Sequence, residues 1–178
     1  TVVFEDRISA GTLDNKSIDE ASGMAMSVLN ENAFWTHNDS GDKARLFLVS
    51  TSAQYQATCT LEDAANRDWE DIAVSKDPVS GKSRIFIGDI GDNNAVYDYS
   101  TIYILDEPVI SANKDITVSQ YDKVTFWYED GKRDAETLMV DPLTGDIYIV
   151  SKRENSVQLY RISYPFNYSD TVTANKLM

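Results

Sequence analysis

Three stretches of the chain share one pattern: Glu20-Ala-Ser-Gly-Met-Ala-Met-Ser, Asp68-Trp-Glu-Asp-Ile-Ala-Val-Ser and Asp134-Ala-Glu-Thr-Leu-Met-Val-Asp. Each begins with an acidic residue, continues through an apolar segment of strand length and is followed by turn residues. Two further strand patterns follow each stretch: Ala33 to Asp39 and Arg45 to Val49, Arg84 to Asn93 and Ser100 to Leu105, Asp146 to Arg153 and Val157 to Ile162. The repeat predicts three copies of a four-stranded meander.

Short β-type runs separated by turn residues occupy almost the whole chain. Its 178 residues are 42% hydrophobic, which is enough to bury a core in one domain. The best candidate for helix, Ala64 to Asp71, is better interpreted as a connecting loop with a short helical turn. The sequence therefore predicts an all-β fold with almost no helix.

Radial repetition of four-stranded sheets, at about 40 to 50 residues per unit, is typical of a β-propeller. We expect blade 1 at about residues 20–61, blade 2 at about 68–129 with an insertion around Asp106 to Gln120, and blade 3 at about 134–165. Three blades cannot close a ring, so the 1–178 domain is predicted to be half of a six-bladed propeller. Val2 to Phe4 is predicted as the outer strand of a closing blade, and Asp170 to Met178 as the approach to a fourth blade. The expected partner is a second chain that completes the ring: the C-terminal half of a cleaved precursor, which we prefer, or another copy.

The charge of the chain points to cations as partners. Sixteen basic residues stand against 29 acidic ones, and the net charge is −13. Such a charge repels nucleic acid and anionic membranes. No apolar stretch approaches the roughly 18 residues that a membrane-spanning helix needs.

The first residue and two glycosylation sequons favour an exported, extracellular or periplasmic protein. The chain begins at Thr1 without an initiator Met, as it would after removal of a signal peptide or after any other trimming of the N-terminus. Asn15-Lys-Ser and Asn167-Tyr-Ser would suit N-glycosylated surface loops. Cys59 is the only cysteine, so it is either a buried thiol on a strand or a bridge to a second chain.

The repeated acidic residues predict a calcium site in the central channel. The first strand of every propeller blade lines that channel, and Ser22, Glu70 and Glu136 follow the initial acid of each repeat by two residues, on the same face of the strand. Converging carboxylates repel one another unless a hard cation with about six to eight oxygen ligands lies between them, and calcium suits an irregular ring better than magnesium. Loops after the second strands offer further oxygens. The predicted ligands are Glu20, Asn38, Asp39, Asp68, Glu70, Asp89, Asp92, Asn93, Asp134 and Glu136.

Other interpretations of these residues stay open. The carboxylates could instead pair with basic side chains or accept backbone N–H groups at strand ends. His37, the only histidine, is a packed residue, a neighbour of the ligand site or a general base. The aromatic residues, among them three tryptophans, are expected to pack between blades rather than to form a ligand platform. The basic candidates for pairing are Arg67, Arg133, Lys152 and Arg153.

The motifs His37-Asn-Asp-Ser-Gly-Asp, Asp68-Trp-Glu-Asp-Ile-Ala and Gly88-Asp-Ile-Gly-Asp-Asn resemble those of uncharacterised, mostly bacterial, secreted six-bladed propeller proteins. More distantly, the chain resembles the calcium propellers of the strictosidine synthase, regucalcin and paraoxonase type. The closer resemblance covers about Glu20 to Tyr164 and implies the fold, but no activity.

Two functions follow as hypotheses. The first is a binding module in which calcium fixes the channel and the loops bind a ligand. The second is a calcium-dependent hydrolase of the lactonase type, in which the ion polarises an ester carbonyl and an acid such as Asp39 or Glu70 activates water. The hydrolase requires an open coordination position on the ion, whereas the binding module does not.

Overall fold

The computed structural model describes residues 8–111 and 115–178, and within these ranges it contains thirteen strands and no helix. The predicted all-β class is confirmed, and residues 64–71 form no helical turn. Val2 to Phe4 lies outside the described residues. The strands are β1 (Ala21–Met26), β2 (Ala33–Asn38), β3 (Arg45–Ser50), β4 (Tyr55–Leu61), β5 (Trp69–Lys76), β6 (Ser83–Asp89), β7 (Ser100–Asp106), β8 (Asp115–Val118), β9 (Asp122–Tyr128), β10 (Asp134–Val140), β11 (Ile147–Lys152), β12 (Leu159–Ile162) and β13 (Val172–Lys176).

Three antiparallel meanders make up most of the fold. The first meander is β1-β2-β3-β4, the second is β5-β6-β7-β9 and the third is β10-β11-β12-β13. They are hydrogen-bonded into two sheets, a five-stranded one in the order β1-β2-β3-β4-β8 and an eight-stranded one in the order β10-β11-β12-β13-β9-β7-β6-β5. Within the described ranges, no helix is long and apolar enough to span a membrane.

Two parallel pairings tie each meander to the next. β8 lies in the insertion between β7 and β9 of the second meander and pairs in parallel with β4 of the first. β13 pairs in parallel with β9, and it also pairs antiparallel with β12. The two junctions match, because Glu62 N donates to Val118 O at 2.9 Å and Glu129 N donates to Ala174 O at 3.1 Å. The tail therefore joins the third meander to the second, and its predicted approach to a further unit stays a prediction.

Apolar side chains fill the space between successive meanders. β5 packs beside both β1 and β10, so the three initial strands lie next to one another. One core cluster, which includes Trp35 and Ile72, joins the first meander to the second, and another, which includes Phe86 and Leu138, joins the second to the third. Cys59 is fully buried in the first of these clusters, where burial raises the pKa of its thiol to about 12.

A buried carboxylate holds the first two meanders together at the end of β7. Glu107 is only 5% exposed, and it accepts hydrogen bonds from Ser27 Oγ at 2.5 Å, Ser83 Oγ at 2.6 Å and Trp35 Nε1 at 3.0 Å. The backbone N–H of Val28 also donates to it, at 3.1 Å. Burial alone would raise the pKa of Glu107, but these donors lower it below its ordinary value. Glu107 is thus an ionised carboxylate that accepts hydrogen bonds from four donors, and we call it the carboxylate hub.

Replacing this hub should weaken the fold. In Glu107→Gln, an amide NH2 would face hydroxyl and indole donors, so we expect the free energy of unfolding to fall by about 3 kcal/mol. Urea denaturation followed by tryptophan fluorescence measures the change. The exposed Glu62→Gln serves as the matched control and should unfold as the parent chain does. A Glu107→Gln midpoint equal to that of the control would show that the hub contributes little.

Candidate functional site

A β-bulge occurs at the same place in the first strand of every meander. The pairing register shifts between Ala21 and Met24 in β1, between Trp69 and Asp71 in β5, and between Ala135 and Thr137 in β10. An extra residue in a strand bends it and re-aims a side chain, which is why bulges recur beside functional sites. The residues in the three bulges include Ser22, Glu70 and Glu136.

Five carboxylates lie together at the end of the three first strands that carries the bulges. Carboxylate oxygens of Asp39, Asp68 and Glu70 lie within 4.8 Å of one another, and so do those of Glu70, Asp134 and Glu136. Glu70 belongs to both groups and therefore lies at the centre. We call these five residues the acidic cluster.

Glu70 has no partner for its charge. The residue is 8% exposed, and its carboxylate makes no hydrogen bond or ion pair with any residue that the structure describes. The backbone of Gly91 closes the site, because a Cβ placed there would lie 2.5 Å from both Glu70 Oε1 and the carboxyl carbon of Asp68. The two carboxylates thus point into a space that only a glycine leaves open.

Basic residues neutralise the part of the acidic cluster that belongs to the third meander. Arg153 Nε lies 2.7 Å from Asp134 Oδ2, and Lys152 forms an ion pair with Glu136. Neither Asp68 nor Glu70 has an ion pair with a described basic residue. Ion pairs with basic residues therefore neutralise one side of the acidic cluster. The other side, formed by Asp39, Asp68 and Glu70, keeps an excess of negative charge.

Burial and mutual repulsion shift the acidities in the cluster. Burial raises the pKa of Glu70 to about 8, and the charges of Glu136, Asp39, Asp68 and Asp134 add to this effect. Burial, followed by the same kind of repulsion, also raises the pKa of Asp68. Folding thus brings together carboxyl groups that repel one another when they are ionised. A cation bound between them would offset both the burial and the repulsion.

The other predicted ligands lie outside the acidic cluster. Glu20 is exposed, and the Asn38 side-chain amide donates to Ser17 O at 2.7 Å and to Asp42 Oδ2 at 2.9 Å. Asp89 accepts the Asp68 backbone N–H at 2.8 Å. Glu20 and Asp89 are not among the carboxylates that lie within 4.8 Å of one another, and the role of these three residues as ligands stays a prediction.

Two further predicted ligands belong to the loop after β6. Asp92 accepts the backbone N–H groups of Val96 at 2.9 Å and Tyr97 at 2.8 Å, and it donates its own N–H to Asp134 Oδ1 at 2.9 Å. Asn93 accepts a hydrogen bond from Arg153. The loop is thereby attached to the third meander and carries Gly91 against the cluster.

His37 is fully buried between the first two meanders. Its Nδ1 lies 2.9 Å from Asn38 O, and its Nε2 has no hydrogen-bond partner among the described residues. A Cβ on Gly23 would lie 2.7 Å from that Nε2. Burial lowers the pKa of His37, which favours the neutral ring. The packed interpretation fits this environment, because the ring has no exposed surface.

Sequence reasoning missed the role of Asp71. Asp71 Oδ2 accepts the backbone N–H of Leu138 at 2.7 Å, so it links β5 to β10 directly beside the acidic cluster. The equivalent residues in the other two meanders are Gly23 and Thr137, which carry no charge. An acid at this position of the second repeat alone could have indicated a special role for Asp71. Of the tryptophans, Trp35 and Trp69 are fully buried as expected, whereas Trp127 is 49% exposed.

No protein-family model matches the chain, and no curated protein matches it.

The raised pKa of Glu70 makes stability depend on pH. In chelator-treated protein, the unfolded chain loses the Glu70 proton near the ordinary value while the folded chain retains it up to about pH 8. Stability should therefore fall as pH rises from about 5 to about 8, and Glu70→Gln should flatten this slope. Thermal melts across that range measure it, with the exposed Glu31→Gln as control. A slope unchanged by Glu70→Gln would contradict the assignment.

Proposed function

We propose that this chain is a calcium-binding β-propeller segment that acts as a binding module, with the ion held by Asp39, Asp68 and Glu70. The observation that carries the proposal is the buried, unpartnered Glu70 carboxylate beside two further carboxylates. A bound cation would favour the ionised form of Glu70, because buried charges are stable in proteins when they are paired or coordinate a metal. Calcium accepts carboxylate oxygens in irregular geometry, which suits three acids from two meanders.

The ion is assigned to one side of the acidic cluster for electrostatic reasons. Lys152 and Arg153 already compensate Glu136 and Asp134, so a cation placed there would meet two positive charges. On the other side no described basic residue pairs with Asp68 or Glu70. The Coulomb energy therefore favours the position between Asp39, Asp68 and Glu70.

The propeller assignment rests on the repetition of the meanders. Three meanders lie side by side through their first strands, and each first strand carries its bulge at the same end. This arrangement supports blades around a channel, with the acidic cluster at one mouth. An extracellular or periplasmic location would suit a calcium module of this kind, because such modules work with modest affinity.

The hydrolase alternative receives less support from the site. It needs a base that reaches both the ion and a bound ester. His37 has no exposed surface and cannot reach a ligand in a channel. Glu70 would have to act as ligand and base at once, so we prefer the binding module.

Calcium titration of the chelator-treated protein tests the proposal. We expect one calcium per chain by isothermal titration calorimetry, and Asp68→Asn or Glu70→Gln should weaken binding by about 100-fold or more, since each removes a charged ligand. At 100 times the dissociation constant, calcium should stabilise the fold by about 2.7 kcal/mol.

Glu136→Gln is the matched control inside the acidic cluster, because Lys152 compensates this carboxylate. It should weaken calcium binding by about tenfold or less. Absence of binding by the parent chain, or equal losses for Glu136→Gln and Glu70→Gln, would contradict the assigned position.

A further inference from the structure

We propose that the calcium site binds a neutral glycan, whose hydroxyls complete the coordination of the ion and whose sugar rings stack on exposed aromatic side chains of the second meander. The glycan site rests on the proposed function for its ion, which is held by Asp39, Asp68 and Glu70. Its aromatic part consists of residues outside the acidic cluster.

The three assigned ligands leave positions open on the ion. Calcium takes about six to eight oxygens, whereas three carboxylates supply about six at most and fewer where one of them binds through a single oxygen. Asp68 also lines a cavity of about 250 Å³, and the exposed side chains of Ser40, Asn93 and Asn94 form part of its wall. A ligand in this cavity would therefore lie beside an ion bound to Asp68, among hydrogen-bonding groups.

Exposed aromatic side chains continue this cavity away from the acidic cluster. Tyr97 lines the cavity beside Asp68, and it also lines a second cavity, of about 90 Å³, together with Tyr99 and Trp127. The three aromatic side chains are 43%, 54% and 49% exposed, respectively. The pairing of β5, β6, β7 and β9 places Trp127 at the same end of the second meander as Asp68. The ion and the aromatic side chains thus belong to one surface.

Contacts with neighbouring groups hold the exposed rings in place. The guanidinium carbon of Arg67 lies 4.0 Å from the centre of the Tyr97 ring, and Arg67 is itself held by the backbone carbonyl of Tyr99 at 2.9 Å. The indole Nε1 of Trp127 donates to Thr173 Oγ1 at 2.9 Å. Rings that are already fixed lose little conformational entropy when a ligand binds, which favours binding.

The basic side chains that line the two cavities already have partners. Lys132 pairs with Asp98 at 2.9 Å. Arg133 forms an ion pair with Asp130, also at 2.9 Å, and Arg67 donates to two backbone carbonyls. At the acidic cluster, calcium and the two ion-paired basic side chains would offset four of the five negative charges. An anionic ligand would gain little from such a surface, whereas a neutral ligand rich in hydroxyls matches it.

A sugar has the two kinds of group that this surface can bind. The faces of a sugar ring carry C–H groups, which pack on aromatic rings, and its edge carries hydroxyls, which can coordinate calcium and bind amides. A glycan of more than one sugar would therefore contact the ion at one end and Tyr97 and Trp127 farther along.

Further meanders of a larger ring would not cover the aromatic side chains. Among the described meanders, the second is the one with a neighbour on each side, because one apolar core joins it to the first and another joins it to the third. Any additional meander would pack beside the first or the third. The exposure of Tyr97, Tyr99 and Trp127 is thus compatible with a complete propeller.

A glycan array tests the proposal. It carries immobilised oligosaccharides that end in mannose, glucose, galactose or sialic acid, and a proline-rich peptide. With calcium at about 100 times its dissociation constant, the labelled protein should bind one or more of the neutral glycans, and a chelator should abolish the signal. Binding to the sialic acid ends alone, or to the peptide alone, would overturn the assignment of a neutral glycan.

Substitutions of the exposed rings separate the glycan from the ion. Tyr97→Ala and Trp127→Ala should each lower the affinity for the bound glycan by about tenfold or more, because each removes a stacking surface. Calcium binding by isothermal titration calorimetry should remain that of the parent chain in both variants. Tyr168→Ala, at a 44% exposed tyrosine that lines neither cavity, is the matched control and should bind glycan and calcium as the parent does.

The outcomes distinguish the glycan site from the calcium site. Calcium binding without binding of any neutral glycan would overturn the glycan site and leave the calcium site standing. Glycan binding that a chelator does not change, or that survives both ring substitutions at full affinity, would also overturn the proposal. Absence of calcium binding would instead overturn the proposed function itself.

Discussion

Electrostatic repulsion among closely spaced carboxylates is the constraint on which the rest of the site depends. Glu70 lies within ligand distance of acids on both sides and carries no compensating partner among the described residues. At such separations in a partly buried place, each additional negative charge costs free energy, and the protonated form of Glu70 is favoured. The fold bears this cost at one end of three adjacent strands. A cost that is concentrated and unrelieved by ion pairs is typical of a functional site.

The scaffold around the acidic cluster is arranged to resist that repulsion. Asp71 joins β5 to β10 through the backbone of Leu138, and the Ser22 hydroxyl joins β1 to β5 by donating to Glu70 O at 3.0 Å. Farther from the cluster, Glu107 gathers donors from the first two meanders. These contacts hold the three first strands in place, so the strands cannot move apart to reduce the repulsion between their carboxylates.

The sequence predicted the elements that repeat. Alternation and turn residues placed the first three strands of each meander to within about two residues, except that the predicted strand Arg84 to Asn93 ends four residues after β6, and β13 was not predicted as a strand. The acidic repeat placed Glu70 and Glu136 near each other. β8 escaped prediction because its four residues have no periodicity of their own and are ordered by pairing with β4. The bulges also escaped, because a register shift depends on the partner strand and leaves no local signal. For the same reason, no local pattern distinguished Asp68, which lies in the cluster, from the equivalent Glu20, which is exposed.

The most direct measurement of the central claim is a crystal structure of the protein grown with calcium, with anomalous data to identify the ion. The account predicts one calcium with oxygens of Asp39, Asp68 and Glu70 at about 2.3 to 2.6 Å, and Lys152 still paired with Glu136. Absence of an ion there, with Lys152 or Arg153 turned to pair with Glu70 instead, would contradict it.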